Sequence, residues 1–122
     1  MHQNPQAVYQ QAITEYNESH DTTVIKLLKP LVKSKQANSE TLNLLGASYH
    51  RLGKPKESLK HLKSSLKSNP KFAQTHSLIA NIYSNDGRIT LSLEHYKKAF
   101  KLNKTQPRPL MEIALHYQRK EE

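Results

Sequence analysis

Seven histidines and nineteen lysines and arginines are the side chains of this 122-residue chain that could bind a metal, move a proton or grip an anion. A helical metal site needs two imidazoles on one face, one turn apart. His50, His61, His76 and His95 are instead spread singly along the chain. His61 and His95 stand 34 residues apart, which in a stacked repeat puts them one repeat's thickness apart on an exposed face. They read as solvated histidines, and neither a metal nor another cofactor is expected. A Gly-rich phosphate loop, a His-Glu-x-x-His helix and a Gly-x-Ser-x-Gly elbow are all missing from the sequence. There is no cysteine to act as a thiolate nucleophile or form a disulfide. The chain is not expected to be an enzyme.

The lysines are better ordered. Lys29, Lys63 and Lys97 form one series with a 34-residue step, and Lys33, Lys67 and Lys101 form a second. Both series fall opposite the apolar positions Leu28, Leu62 and Tyr96. Ammonium groups so arranged would offer a basic face to an acidic protein, a lipid surface or a nucleic acid. Nucleic acid is disfavoured, because no aromatic residues interleave the lysines as base stacking requires. The plainer role is preferred: lysine near a helix C-terminus complements the helix dipole and keeps a thin protein soluble.

The same step governs the residues that must position these side chains. Gly46, Ala80 and Ala114 recur every 34 residues, as do Tyr49, Tyr83 and Tyr117, and Leu45, Ile79 and Ile113. Gly53 and Gly87 keep the step too. A small residue, an aromatic and a turn glycine in lockstep are the signature of stacked helical hairpins. The clearest unit starts at Ser39. Leu42, Leu45 and Tyr49 make one helical stripe, and Gly53 is placed to end that helix in a left-handed conformation. Pro55 suits the first turn of the next helix, Leu59, Leu62 and Leu66 give it a stripe, and Pro70 stops it. Gly46, Ala80 and Ala12 are expected at close helix crossings, with Tyr49, Tyr83 and Tyr117 as core spacers. Helices are predicted over 5–18, 22–34, 39–52, 55–68, 73–85, 89–102 and 107–120. Pro30 falls inside the second of these and removes a hydrogen bond, at about 3 kcal/mol in a regular helix interior. A kink or early fraying is expected there. The 35% apolar content and formal charge of +9 would suit a disordered chain, but the periodicity argues for a thin solenoid.

These motifs resemble the tetratricopeptide repeat. The unit from Ser39 carries Leu42, Leu45, Gly46, Tyr49, Ser58, Leu62, Ser65 and Pro70 at that family's spacings. The next, from Ala73, carries His76, Ile79, Ala80, Tyr83, Ser92, Tyr96, Ala99 and Lys104. A half unit supplies Leu110, Ile113, Ala114 and Tyr117. The first unit is degenerate, with Val8, Gln11, Ala12 and Glu15, then Val24, Leu28, Leu31 and Gln36. The resemblance implies an all-α, right-handed superhelix of antiparallel hairpins, about 3.5 repeats and seven helices long. It implies one solenoid domain over 1–122, with repeats near 5–38, 39–72 and 73–106 and a half repeat at 107–122.

In that family the first helices of the repeats line a concave groove. Carried over residue by residue, the groove positions are Tyr16, Asn17, Asn43, His50, Arg51, Asn81, Ser84, Asn85, Gln118 and Arg119. These polar and partly cationic side chains suit an extended peptide of some acidic character. The family's clamp for a C-terminal carboxylate is not reproduced, since Tyr9 and Ile13 stand where it has Lys and Asn. The expected function is a protein–protein interaction scaffold that binds a peptide or partner protein in the groove. The alternatives are the recognition arm of a larger enzyme and a binder of acidic surfaces through the lysines. No run approaches the ~20 apolar residues of a membrane span, and the start, Met1-His2-Gln3-Asn4-Pro5, lacks a signal-peptide core. A cytoplasmic protein is expected. Leu110, Ile113, Ala114 and Tyr117 are expected to cover the preceding hairpin, while Met111 and Leu115 point elsewhere and await a further hairpin. On that reading the chain is the N-terminal part of a longer protein, with weak self-association through its last helix.

Overall fold

The computed structural model describes residues 4–105 and 107–121. They form seven helices: α1 (Pro5–Asn17), α2 (Asp21–Lys33), α3 (Ser39–Arg51), α4 (Pro55–Ser68), α5 (Ala73–Asn85), α6 (Ile89–Leu102) and α7 (Pro107–Glu121). Local chemistry sets their ends. Asn4 caps α1 by accepting from the Gln6 amide at 2.9 Å, and Asn38 caps α3 by accepting from the Thr41 amide at 2.9 Å. Pro55 opens α4, where its missing N–H leaves nothing unpaired. Helices α1, α3 and α5 close alike. The amides of His20, Lys54 and Arg88 reach back to the carbonyls of Glu15, Tyr49 and Tyr83 at 2.8, 2.9 and 2.8 Å. That closure needs a left-handed residue just before the donor. Gly53 (φ 74°) and Gly87 (φ 78°) supply it easily, whereas the first repeat forces Ser19 to φ 64°.

The chain divides into two compact units, one ending at Asn69 and holding α1–α4, the other starting at Pro70 and holding α5–α7. In the first, Val8 and Ala12 of α1, Val24, Leu28 and Leu31 of α2, and Leu44, Leu45 and Tyr49 of α3 make a continuous apolar core. The tightest point is the crossing of α3 and α4. A Cβ on Gly46 would lie 2.6 Å from both Cγ and Cδ2 of Leu62, which is fully buried and has nowhere to go. The Ser58 hydroxyl donates to the Gly46 carbonyl at 2.7 Å across the same crossing. The second unit repeats this bond, Ser92 donating to the Ala80 carbonyl at 2.8 Å. Ser65 adds a second tie between α4 and α3, donating to the Ser39 carbonyl at 2.8 Å. Ser48 is the exception: its buried hydroxyl has no partner among the described residues.

Two expectations are corrected. The second helix does not fray at Pro30; α2 runs on to Lys33, and the Pro30 carbonyl accepts from the Ser34 amide at 3.0 Å. Pro30 lies exposed in the final turn, so a single bond is lost and water can solvate the orphaned carbonyl. The second correction concerns α7. Leu110 and Ala114 do not cover the preceding hairpin, Leu110 being 49% exposed and Ala114 exposed as well, while Tyr117, 46% exposed, meets α6 through Lys97, whose Nζ donates to its hydroxyl at 2.8 Å. Tyr117 is therefore no core spacer, although Tyr49 and Tyr83 are. The side of α7 packed on α6 instead carries buried Pro109 and half-buried Glu112, Ile113 and His116. In α3 and α5 the stripe that Leu110, Ala114 and Tyr117 continue is covered by the helix that follows, and the described residues include no helix after α7.

The α3–α4 crossing gives a direct test. Gly46→Ala should destabilise the protein by about 1–3 kcal/mol despite alanine's better helix propensity, and Gly46→Leu by more. Urea denaturation followed by circular dichroism reads both, and unchanged midpoints would mean the helices do not cross at Gly46.

Candidate functional site

Arg51, at the last turn of α3, joins three helices. Its Nε and Nη2 donate to Asp21 Oδ1 of α2 at 3.0 and 2.6 Å, and Nη2 also donates to the Tyr16 carbonyl at the end of α1 at 2.7 Å. The guanidinium carbon lies 3.6 Å from the Tyr16 ring centroid, within cation–π range. Asp21 is buried, its side chain 10% exposed, so the pair satisfies a carboxylate that water hardly reaches. The arginine side chain remains 34% exposed, and its Nη1 makes no bond to any described residue. Sequence reasoning named Arg51 and Tyr16 but missed Asp21. The 34-residue register could not flag it, because Pro55 and Ile89 occupy the equivalent places.

The other groove candidates divide by exposure. Asn17, Asn85, Gln118 and Arg119 are exposed, while Asn43, His50, Asn81 and Ser84 are half-buried. Asn81 is engaged within its own hairpin, its Oδ1 accepting from the Tyr96 hydroxyl. Burial raises the Tyr96 phenol above its ordinary 10.0, which keeps it a neutral donor. Ser84 of α5 and Arg119 of α7 share a small cleft in the second unit with Tyr96, Glu112 and His116. Met111 and Leu115 also belong with this set. The register aligns them with Ser77 and Asn81 of α5 rather than with the stripe of Leu110 and Tyr117. Met111 is 60% and Leu115 40% exposed, so apolar surface sits beside Gln118 and Arg119 on α7.

The histidines are not the solvated set expected. His61 is half-buried and stacks on Tyr49, with ring centroids 5.5 Å apart and planes at 6°. Burial lowers its pKa below the ordinary 6.5, and Lys60 and Lys29 lower it further. His76 is 5% exposed. Its Nε2 donates to the Pro70 carbonyl at 2.9 Å, and its Nδ1 lies 3.1 Å from His95 Nδ1, within hydrogen-bond distance. His95 also packs on Tyr83, at 5.8 Å between centroids. His61 and His95 thus both back the tyrosine of their own hairpin. His20 sits in a different cluster, with ligand atoms of Glu15, Glu18 and His20 within 4.8 Å of one another. They lie at and just before the open turn after α1, and contacts of His20 Nδ1 with Glu15 at 2.7 Å and Glu18 at 3.7 Å account for their approach. Lys29, Lys33, Lys63, Lys67, Lys97 and Lys101 are all exposed, as expected.

Repeated helical hairpins of this register decide the family, and a model of the tetratricopeptide repeat–sensor family matches residues 1–116. The chain belongs to that family. Its fold is shared with solved tetratricopeptide proteins. MamA is 19% identical, with a TM-score of 0.87 over 96% of this chain and 68% of that one. The first tetratricopeptide domain of Spaghetti (RPAP3), bound to an HSP90 peptide, is 10% identical, with a TM-score of 0.86 over 96% of this chain and 93% of that one. The Yersinia enterocolitica type III secretion chaperone SycD, in complex with a peptide of the translocator YopD, is 15% identical, with a TM-score of 0.85 over 94% of this chain and 93% of that one. No curated protein matches the sequence. Among the described residues of this repeat protein, no helix is long and apolar enough to cross a membrane.

Two predictions follow from the geometry. Arg51→Ala strands the Asp21 carboxylate and should lower stability by about 1–2 kcal/mol, a figure discounted for the partly exposed guanidinium. Arg51→Lys should recover part of this and Asp21→Asn with Arg51→Ala more, as read by a double-mutant cycle in urea. For His61, the depressed folded pKa means that the unfolded chain binds the proton more readily. Its contribution to stability is complete above 6.5 and is lost as pH falls through the lower folded value. Nuclear magnetic resonance titration should place the His61 midpoint below 6.5, and Lys60→Gln should raise it.

Proposed function

We propose that this chain is a protein–protein interaction module that takes an extended, partly acidic peptide on the groove-facing sides of its first helices. The observation that carries the reading is Arg51. Its guanidinium is already ordered by Asp21 and Tyr16, yet Nη1 stays unbonded among the described residues at a partly exposed edge. A cation fixed in advance loses little freedom on meeting a carboxylate or a peptide carbonyl. Asn17 in the first unit, and Asn85, Gln118 and Arg119 in the second, supply exposed donors and acceptors, and Met111 and Leu115 offer an apolar contact beside Gln118 and Arg119. Three solved proteins of this fold, two RPAP3 domains and SycD, were captured with peptides. That record supports peptide binding as the use of the fold here.

A second reading rests on the lysines. Among the described residues, none of Lys29, Lys33, Lys63 and Lys67 makes an ion pair. They form an uncompensated basic surface on α2 and α4 of the first unit, suited to an acidic protein surface.

The two readings separate by mutation. Peptides selected from a display library against the wild-type chain should bind at least tenfold more weakly to Asn85→Ala with Arg119→Ala. Lys63→Glu with Lys67→Glu should change affinity by less than threefold. Fluorescence anisotropy at low and high salt measures both, and the reverse ranking would transfer the site to the lysine surface.

A further inference from the structure

Building on the second reading above, we infer that the lysines of α2 and α4 form one site for an unstructured, carboxylate-rich segment of a partner protein. α2 carries Lys26, Lys29 and Lys33, and α4 carries Lys56, Lys60, Lys63 and Lys67. Steps of three and four residues set each group along one side of its helix. All seven are exposed, and none makes an ion pair with a described residue. Against them the two helices hold two carboxylates. Asp21 is buried against Arg51, which leaves Glu57 as their one exposed acid.

Helix dipoles do not account for this surface. Lys33 and Lys67 lie in last turns, where a cation is favoured. Lys56, however, is the second residue of α4, at its positive end, and Lys26 lies in the middle of α2. Lysines four apart in a row repel one another, and an anion laid along the row relieves that repulsion. The rows also select among anions. None of the exposed large hydrophobic side chains lies on α2 or α4, so neither helix has a wedge to insert into a bilayer. Neither carries an arginine, phenylalanine, tyrosine or tryptophan, as bidentate phosphate binding or base stacking would favour. Ammonium groups are point charges on flexible stems, and a disordered acidic run can follow them. Lys56 and Lys67 stand about 16 Å apart along the helix axis, the reach of roughly five extended residues.

His61 senses both rows. It stacks on Tyr49 of α3. Burial lowers its pKa, Lys60 of α4 and Lys29 of α2 lower it further, and Glu57 opposes them. Carboxylates laid over the rows offset the two ammonium groups and raise it. Binding then takes up protons and tightens as pH falls from the bound His61 midpoint to the free one.

The probe is a fluorescein-labelled oligoglutamate long enough to span both rows, followed by anisotropy with the full chain. It should bind saturably at low salt. Lys26→Glu with Lys56→Glu, which spares Lys29, Lys33, Lys63 and Lys67, should weaken it at least tenfold with an unchanged thermal melt. Lys98→Glu with Lys104→Glu, an equal change of charge at exposed positions of the second unit, should weaken it less than threefold. Saturation should raise the His61 midpoint in a nuclear magnetic resonance titration. Equal weakening by the two pairs, or an unmoved His61, would overturn this inference and leave the second reading to its own variant, Lys63→Glu with Lys67→Glu. Absence of any binding would overturn both. Phosphatidylserine vesicles and duplex RNA supply the last arm: binding of either that depends on Lys26 and Lys56, when oligoglutamate binding does not, would overturn the assignment to a protein.

Discussion

The close approach of two helices within each hairpin governs what the rest of this molecule can do. At Gly46 the backbone of α3 lies so near Leu62 that a single added carbon would overlap it. Ser58 exploits the same nearness to satisfy a carbonyl already used by its own helix. Larger residues at either place would push α4 outward, expose Leu62 and loosen Tyr49, which holds His61 in its stack. The second unit repeats the device with Ala80 and Ser92. In the first repeat Val24 stands where the serines stand; it is fully buried, and an apolar contact replaces the hydroxyl bond.

Everything governed by that repeated crossing was legible in the sequence. Helix positions, the left-handed Gly53 and Gly87, the buried Leu45 and Ile79, and the exposed lysines all follow from a 34-residue register and helical periodicity. What escaped was whatever the register does not repeat. Asp21 of α2 pairs with Arg51 of α3, yet Pro55 and Ile89 hold its equivalent places. Ser19 adopts φ 64° because hydrogen bonding at the end of α1 demands it, with no glycine to announce the turn. The His76–His95 bond arises between residues that are not equivalent to each other. The error over Tyr117 had a different source. Periodicity names the face a residue occupies, but burial depends on the neighbour, and for that face the neighbour is the following helix.

Of the candidate site, the positions were legible and the states were not. Groove residues were named from their place on the first helices, but a place does not say whether a side chain is spent on the protein itself. Asn81 is partly committed to Tyr96, and Arg51 is committed to Asp21 and Tyr16. Commitment has opposite consequences for the two. An amide that accepts from Tyr96 has less to offer a ligand through that oxygen. A guanidinium with five donors can hold an internal carboxylate and a carbonyl and still present an edge, its orientation already set.

The helices of this fold therefore have to be read face by face. α7 shows why, because it carries three kinds of surface in four turns. Glu112 and His116 meet α6, Met111 and Leu115 continue the groove positions of α5, and Leu110 and Tyr117 continue a stripe that is buried elsewhere. Assigning Met111 and Leu115 to a missing hairpin confused the second surface with the third, because both are apolar and exposed. The register separates them: Met111 aligns with Ser77, whereas Leu110 aligns with His76. One residue of offset is a rotation of about 100° about the helix axis, enough to move a side chain from the groove side of the helix to the side that, in α3 and α5, meets another helix.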